Sequence, residues 1–204
     1  MGFHLTTTQS AEFLTEQLAT NGGTPTITSK KVHAQVQAGL FNKVRDGKQV
    51  RIDSDDLLAF AQKTRYVQDP AEIDSEVFRV SLLEWQKRDE GILERGTKNV
   101  LGRFTGVDYT NPQRLDGIEG AWHASDVNCE FMVATNCTFL ATCKGYVHPE
   151  HVRTVINWHR IDGSSRKYFV TAPAPESVRR VVGTGLWIDV PPGRESDFLV
   201  KNAR

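Results

Sequence analysis

Residues 42–52 read Asn-Lys-Val-Arg-Asp-Gly-Lys-Gln-Val-Arg-Ile, and this stretch constrains the fold more than any other. Asp46-Gly47 supplies the pair that tolerates positive φ, which the tight turn of a two-residue hairpin demands. The strands on either side of that turn carry Lys43, Arg45, Lys48 and Arg51, and the one acid in the stretch is the turn residue Asp46. A short cationic ribbon is therefore expected, placed directly after a helix.

The rest of the composition sets wide bounds. The chain has 204 residues, enough for one large domain or two small ones, and 39% of them are hydrophobic, enough for a real core. No run of 18 apolar residues is present, so no membrane span is expected. The first residues show no basic segment followed by an apolar one, so no signal peptide is read there. Lys+Arg and Asp+Glu both number 25, which argues against a uniformly basic surface. The division is slightly uneven, with 8 basic and 6 acidic side chains in residues 1–66 against 17 and 19 beyond. Cys129, Cys137 and Cys143 are an odd set within a short span, a poor disulfide framework. A reducing, cytoplasmic setting is expected.

Several elements are legible from punctuation and period. Thr6 and Gln9 stand at capping-box spacing ahead of Ala11, Leu14 and Leu18, which predicts a first helix starting near Thr6. Thr28 or Ser29 caps a second helix with Val32 and Val36 as its buried stripe and Gly39 as a left-handed stop. On that wheel Lys30, Lys31, Ala34 and Gln37 face away from the stripe, with His33 and Gln35 at its flanks. The hairpin follows, and Asp53 or Ser54 caps a third helix containing Leu57, Leu58 and Phe60.

The order helix, helix, basic hairpin, helix resembles the excisionase-like and MerR-like winged helix-turn-helix family. The residues that carry the resemblance are 5–14 for the first helix, and Ser29, Val32, Val36, Gly39 and Leu40 for the recognition helix. Val44, Gly47, Val50, Arg51 and Ile52 match the wing, and residues 56–60 match the helix that follows it. The match covers residues 5–62. The turn between the first two helices is longer than the family's, and the recognition helix has no arginine. The resemblance implies double-stranded DNA as partner. Lys43, Arg45, Lys48 and Arg51 would contact phosphates from the wing. Lys30 and Lys31 would sit in the helix turn that enters the major groove, with His33 beside them. Gln35 and Gln37 would pair with adenine edges, and Ala34 would touch a thymine methyl. It implies a transcriptional regulator associated with the nucleoid.

A single module of this size buries little surface on DNA, so a homodimer is expected. Asp69, Pro70, Glu72 and Asp74 look like a helix start, and Ile73, Val77, Val80 and Glu84 fall on one line with Leu83 and Trp85 close by. A connecting helix over residues 70–87 is therefore predicted, one that can pair with its copy. The expected organisation is α+β: a winged helix-turn-helix at 1–68, a connecting segment at 69–103, and a mixed α+β domain at 104–204 that senses a ligand or binds a protein.

In that last part the patterning predicts strands over 137–141, 151–161, 167–171 and 186–190, and a short helix over 176–182. Cys129, Cys137, Cys143, His148 and His151 are zinc-type residues without a close Cys-x2-4-Cys pair, so no metal is expected. His123 and His159, with Asp126, Glu130 or Glu150, have no catalytic spacing, and neither a cofactor nor catalytic residues are expected. Trp122, Tyr146, Trp158 and Trp187 are a possible ligand pocket, the more usual role of such residues being core. Two other functions fit the same front domain: an antitoxin-type protein that binds its promoter and masks a partner, and a DNA-targeted nuclease.

Overall fold

A computed structural model of the chain describes residues 2–20, 23–46, 49–87, 104–161, 165–190 and 195–202, without the side chains of Arg45, Asp46, Lys87 and Phe104. The protein is mixed α+β. It opens with strand β1 (His4–Thr6) and helix α1 (Thr7–Leu18). The Thr6 hydroxyl accepts from the Gln9 amide while the Gln9 side chain accepts from the Thr6 amide, the reciprocal box that the sequence predicts. Helix α2 (Ser29–Gln37) starts at the cap Thr28 and ends at Gly39, whose φ is +81°. The Leu40 amide donates to the Gln35 carbonyl and the Gly39 amide to the Val36 carbonyl, which closes the helix as a Schellman turn.

Strands β2 (Lys43–Asp46) and β3 (Gln49–Asp53) form the expected hairpin, with Arg45 opposite Val50 and Asp46 opposite Gln49. Asp46, expected in the turn, is instead the last residue of β2; Gly47 and Lys48 lie outside the described residues. Strand β1 pairs with the other side of β3, giving a three-stranded antiparallel sheet in the order β1-β3-β2. Asp53 caps helix α3 (Ser54–Lys63). Leu14, Val32, Ile52 and Leu57 are sealed in the core beneath these helices. Each such side chain contributes on the order of 1.5–3 kcal/mol by leaving water.

Strand β4 (Arg65–Val67) leaves this module and joins the larger sheet. Next comes a single 3-10 turn (Pro70–Glu72), and then strand β5 (Val77–Leu82). The connecting helix expected over 70–87 is thus absent from the described residues. Asp69 does cap a turn and Pro70 does begin it, but one turn is all that forms. Val77, Phe78, Arg79 and Val80 are all buried, and a run covered on both faces suits a central strand better than a one-sided helix. Residues 88–103, the rest of the expected connecting segment, lie outside the described residues.

Short strands β6 (Gln86–Lys87) and β7 (Phe104–Thr105) pair with each other. Strand β8 (Trp122–His123), helix α4 (Asp126–Ala134), strands β9 (Thr138–Cys143), β10 (Tyr146–Arg160) and β11 (Arg166–Pro173), helix α5 (Glu176–Val182), and strands β12 (Leu186–Ile188) and β13 (Ser196–Val200) complete the chain. The larger sheet runs β13-β5-β9-β10-β11-β8, with β12 bridging β10 and β4. The four strands expected in the second half are present with shifted ends and the helix over 176–182 with the expected ones, whereas the patterning gives no signal for α4.

The two parts share one core. Tyr146 of β10 and Trp187 of β12 pack with Leu14, Val36, Phe41 and Leu57 of the N-terminal module. The Phe60 and Tyr146 rings meet edge to face at 4.9 Å. Strand β4 runs parallel to β12, with Tyr66 opposite Trp187. The boundary expected at residue 68 therefore falls inside a continuous structure.

Candidate nucleic-acid interface

Helix α2 is held on two sides. Val32 and Val36 pack toward α1 in the N-terminal core, and the Thr7 and Ser29 hydroxyls lie 2.9 Å apart across the helix pair. A second side faces the larger sheet. There Ala34 is 6% exposed and Gln35 fully buried, and the Gln35 side-chain amide donates to the Cys143 carbonyl at 3.1 Å. The Tyr109 amide donates to the Ala38 carbonyl at 2.8 Å, pinning the end of the helix to the same body.

Two expected base-reading residues are corrected by this packing. Ala34 and Gln35 cannot reach a DNA edge, because the helix has two buried sides and its apolar period shows one. The small residues Ala34 and Ala38, four apart, are the sequence signal for that second close approach.

Lys31 is also redirected. Its ammonium donates to the Thr26 carbonyl and lies 6.0 Å from the Trp187 ring centroid. Burial pushes its pKa below the usual lysine value, Asp189 acts in the opposite sense, and Lys144 adds to the lowering. Asp189 also accepts from the Thr26 amide at 3.0 Å and from the Tyr66 hydroxyl at 3.1 Å. The start of α2 is thereby tied to the end of β12. No motif in the sequence marks Asp189, since its partners lie 123 and 163 positions away.

What remains exposed on α2 is Lys30, His33 and Gln37. These positions share one helical face, and none has a hydrogen-bond or ion-pair partner among the described residues. On the hairpin, Lys43 is exposed as well, while Val44 is 38% exposed. Arg51 is half-buried and donates to the His4 carbonyl at 3.2 Å, so part of its donor capacity serves the β1-β3 pairing. Lys48 lies outside the described residues, as does the side chain of Arg45.

The four aromatic residues considered as a pocket do not converge. Trp122 lies in the core between the larger sheet and α4, its indole donating to the Ile118 carbonyl at 2.8 Å, and Trp158 packs at that core's margin. Tyr146 and Trp187 belong to the core shared with the N-terminal module. Divided between two cores, the four do not line one shared cleft.

The other considered constellations are dispersed. All three cysteines are free and buried, and burial raises their thiols, to about 11 for Cys129 and about 12 for Cys137 and Cys143. Among the described residues no three side chains of His, Cys, Asp or Glu type come together to hold a metal. His123 and His159 are exposed on β8 and β10, with β11 between them, and Asp126 pairs with Lys167 and Arg160. His148 and His151 sit where the β10 register shifts, and they form a ring cluster with Tyr109.

No helix among the described residues is long and apolar enough to cross a membrane. No family model matches the chain, and neither a curated protein nor a solved structure matches it.

Proposed function

We propose that the N-terminal module is a winged helix-turn-helix that binds double-stranded DNA, and that the protein is a transcriptional regulator. The observation that carries this reading is the solvent face of α2, where the side chains of Lys30, His33 and Gln37 have no partner among the described residues while the rest of the helix is anchored. A helix fixed on two sides and bare on the third loses little backbone freedom on docking. The sheet order β1-β3-β2, with two helices inserted before the hairpin, supports the same reading.

In this arrangement Lys30 neutralises a phosphate near the start of α2, and Gln37 offers an amide to an adenine edge. His33 lies between them. Lys43, with Arg45, Lys48 and Arg51, grips the backbone from the hairpin. Two copies on two half-sites supply the affinity that one module lacks. The pairing of copies no longer involves a connecting helix.

Fluorescence anisotropy with a labelled random-sequence duplex tests the reading. Binding by the full chain at low salt, weakening steeply as salt rises, is the expected result. Absence of any salt-dependent binding contradicts it.

A further inference from the structure

A cleft of about 360 Å³ opens beside the last turn of α2. Its walls are Gln37 and Gly39, then Glu84 and Trp85 beyond β5, then Asp108 and Arg114 from the loop after β7. The volume lies in the range of small-molecule sites.

The walls are braced by the protein's own hydrogen bonds. The Trp85 amide donates to the Val107 carbonyl and the Val107 amide to the Leu83 carbonyl, both at 2.9 Å. The Trp85 indole donates to Asp116 at 2.9 Å. Gly39 allows the close approach on the helix side, since a Cβ there would stand 2.7 Å from the Thr110 methyl.

The chemistry inside is selective. The Arg114 guanidinium lies 4.2 Å from the Trp85 ring centroid, so the two planar groups make a stacking platform. Asp108 bridges to Arg114 at 3.2 Å and neutralises it. Glu84 is exposed, and its carboxylate has no partner among the described residues. Two acids against one arginine leave the cleft with a net negative charge, which repels phosphates. An ionised carboxylate only accepts hydrogen bonds, on two oxygens. Its best planar complement carries a ring N–H beside an exocyclic amino group. A guanine edge has that pair, whereas an adenine edge places its amino group beside an acceptor nitrogen.

We propose that this cleft binds an unphosphorylated guanine-type purine, stacked on Arg114 and Trp85 and held through its N–H edge by Glu84. The proposal does not depend on DNA binding.

Calorimetric titration of the full chain with guanosine, adenosine and guanosine 5′-monophosphate tests it. Saturable binding of guanosine is expected, with the monophosphate weaker by about tenfold and adenosine weaker by a similar factor. Glu84→Gln changes an exposed side chain, leaves the fold in place, and is expected to weaken guanosine by about tenfold. Arg114→Ala is expected to weaken all three. No saturable guanosine binding at millimolar concentration overturns the proposal. So does equal affinity for the monophosphate, or affinity unchanged in Glu84→Gln.

Discussion

The side-chain amide of Gln35 donates to the backbone carbonyl of Cys143, 108 positions away, from a site closed to solvent. This bond fixes which side of α2 belongs to the protein. A truncation removes the donor and leaves a cavity against β9. Gln35→Ala is expected to lower stability by about 1–3 kcal/mol, measured by urea unfolding. A surface residue free to read DNA would show almost no change.

Asp189 holds the start of the same helix. It takes the Thr26 amide and the Tyr66 hydroxyl, and it lies near the half-buried Lys31 ammonium. Asp189→Ala removes the acceptor of both bonds, one exposed and one part-buried, at a cost of about 0.5–1.5 kcal/mol. Hydrogen exchange at the Thr26 amide is expected to accelerate while exchange in β9 stays slow. Equal protection in variant and parent removes Asp189 from this role.

The N-terminal elements were legible because local chemistry decides them. Thr6 with Gln9, Thr28, Gly39 and Asp53 act within a few residues of where they stand, and each occupies its predicted position. The segment 70–87 misled for the opposite reason. Asp69 and Pro70 signal a helix start locally, but pairing of Val77–Leu82 with β9 and β13 decides its state. The faces of α2 failed similarly: period reveals that Val32 and Val36 are inside, and cannot reveal that β9 covers Gln35. Trp85, expected on a dimerising helix, instead walls a cleft with Arg114.

His151 gives the fold a dependence on pH. The Pro112 carbonyl can only accept, so its 2.9 Å contact places the proton on Nε2 of His151. Nδ1 is then bare and buried, with no partner among the described residues. Burial, with His148 next and Arg153 adding to it, lowers the imidazole from 6.5 to about 4, against the opposing pull of the Pro112 carbonyl. The Tyr109 ring stacks beside it with centroids 5.6 Å apart. The unfolded chain takes up this proton more readily, so the contribution is complete above the unfolded value. It fades as pH falls from about 6.5 toward 4, by about 3 kcal/mol at most. Urea midpoints measured across that window are expected to fall with acidification, and His151→Asn is expected to flatten the slope. An identical slope in the variant contradicts the assignment.

Whether the bare face of α2 and the hairpin grip DNA together is decided by the salt dependence of duplex affinity. Lys30→Ala with Lys43→Ala removes two exposed cations that have no partner among the described residues, and leaves the core untouched. If each meets one phosphate, the slope of log affinity against log salt becomes shallower by about 1.8, and affinity falls on every sequence alike. A double variant with unchanged slope and affinity places the DNA elsewhere, or nowhere, on this protein.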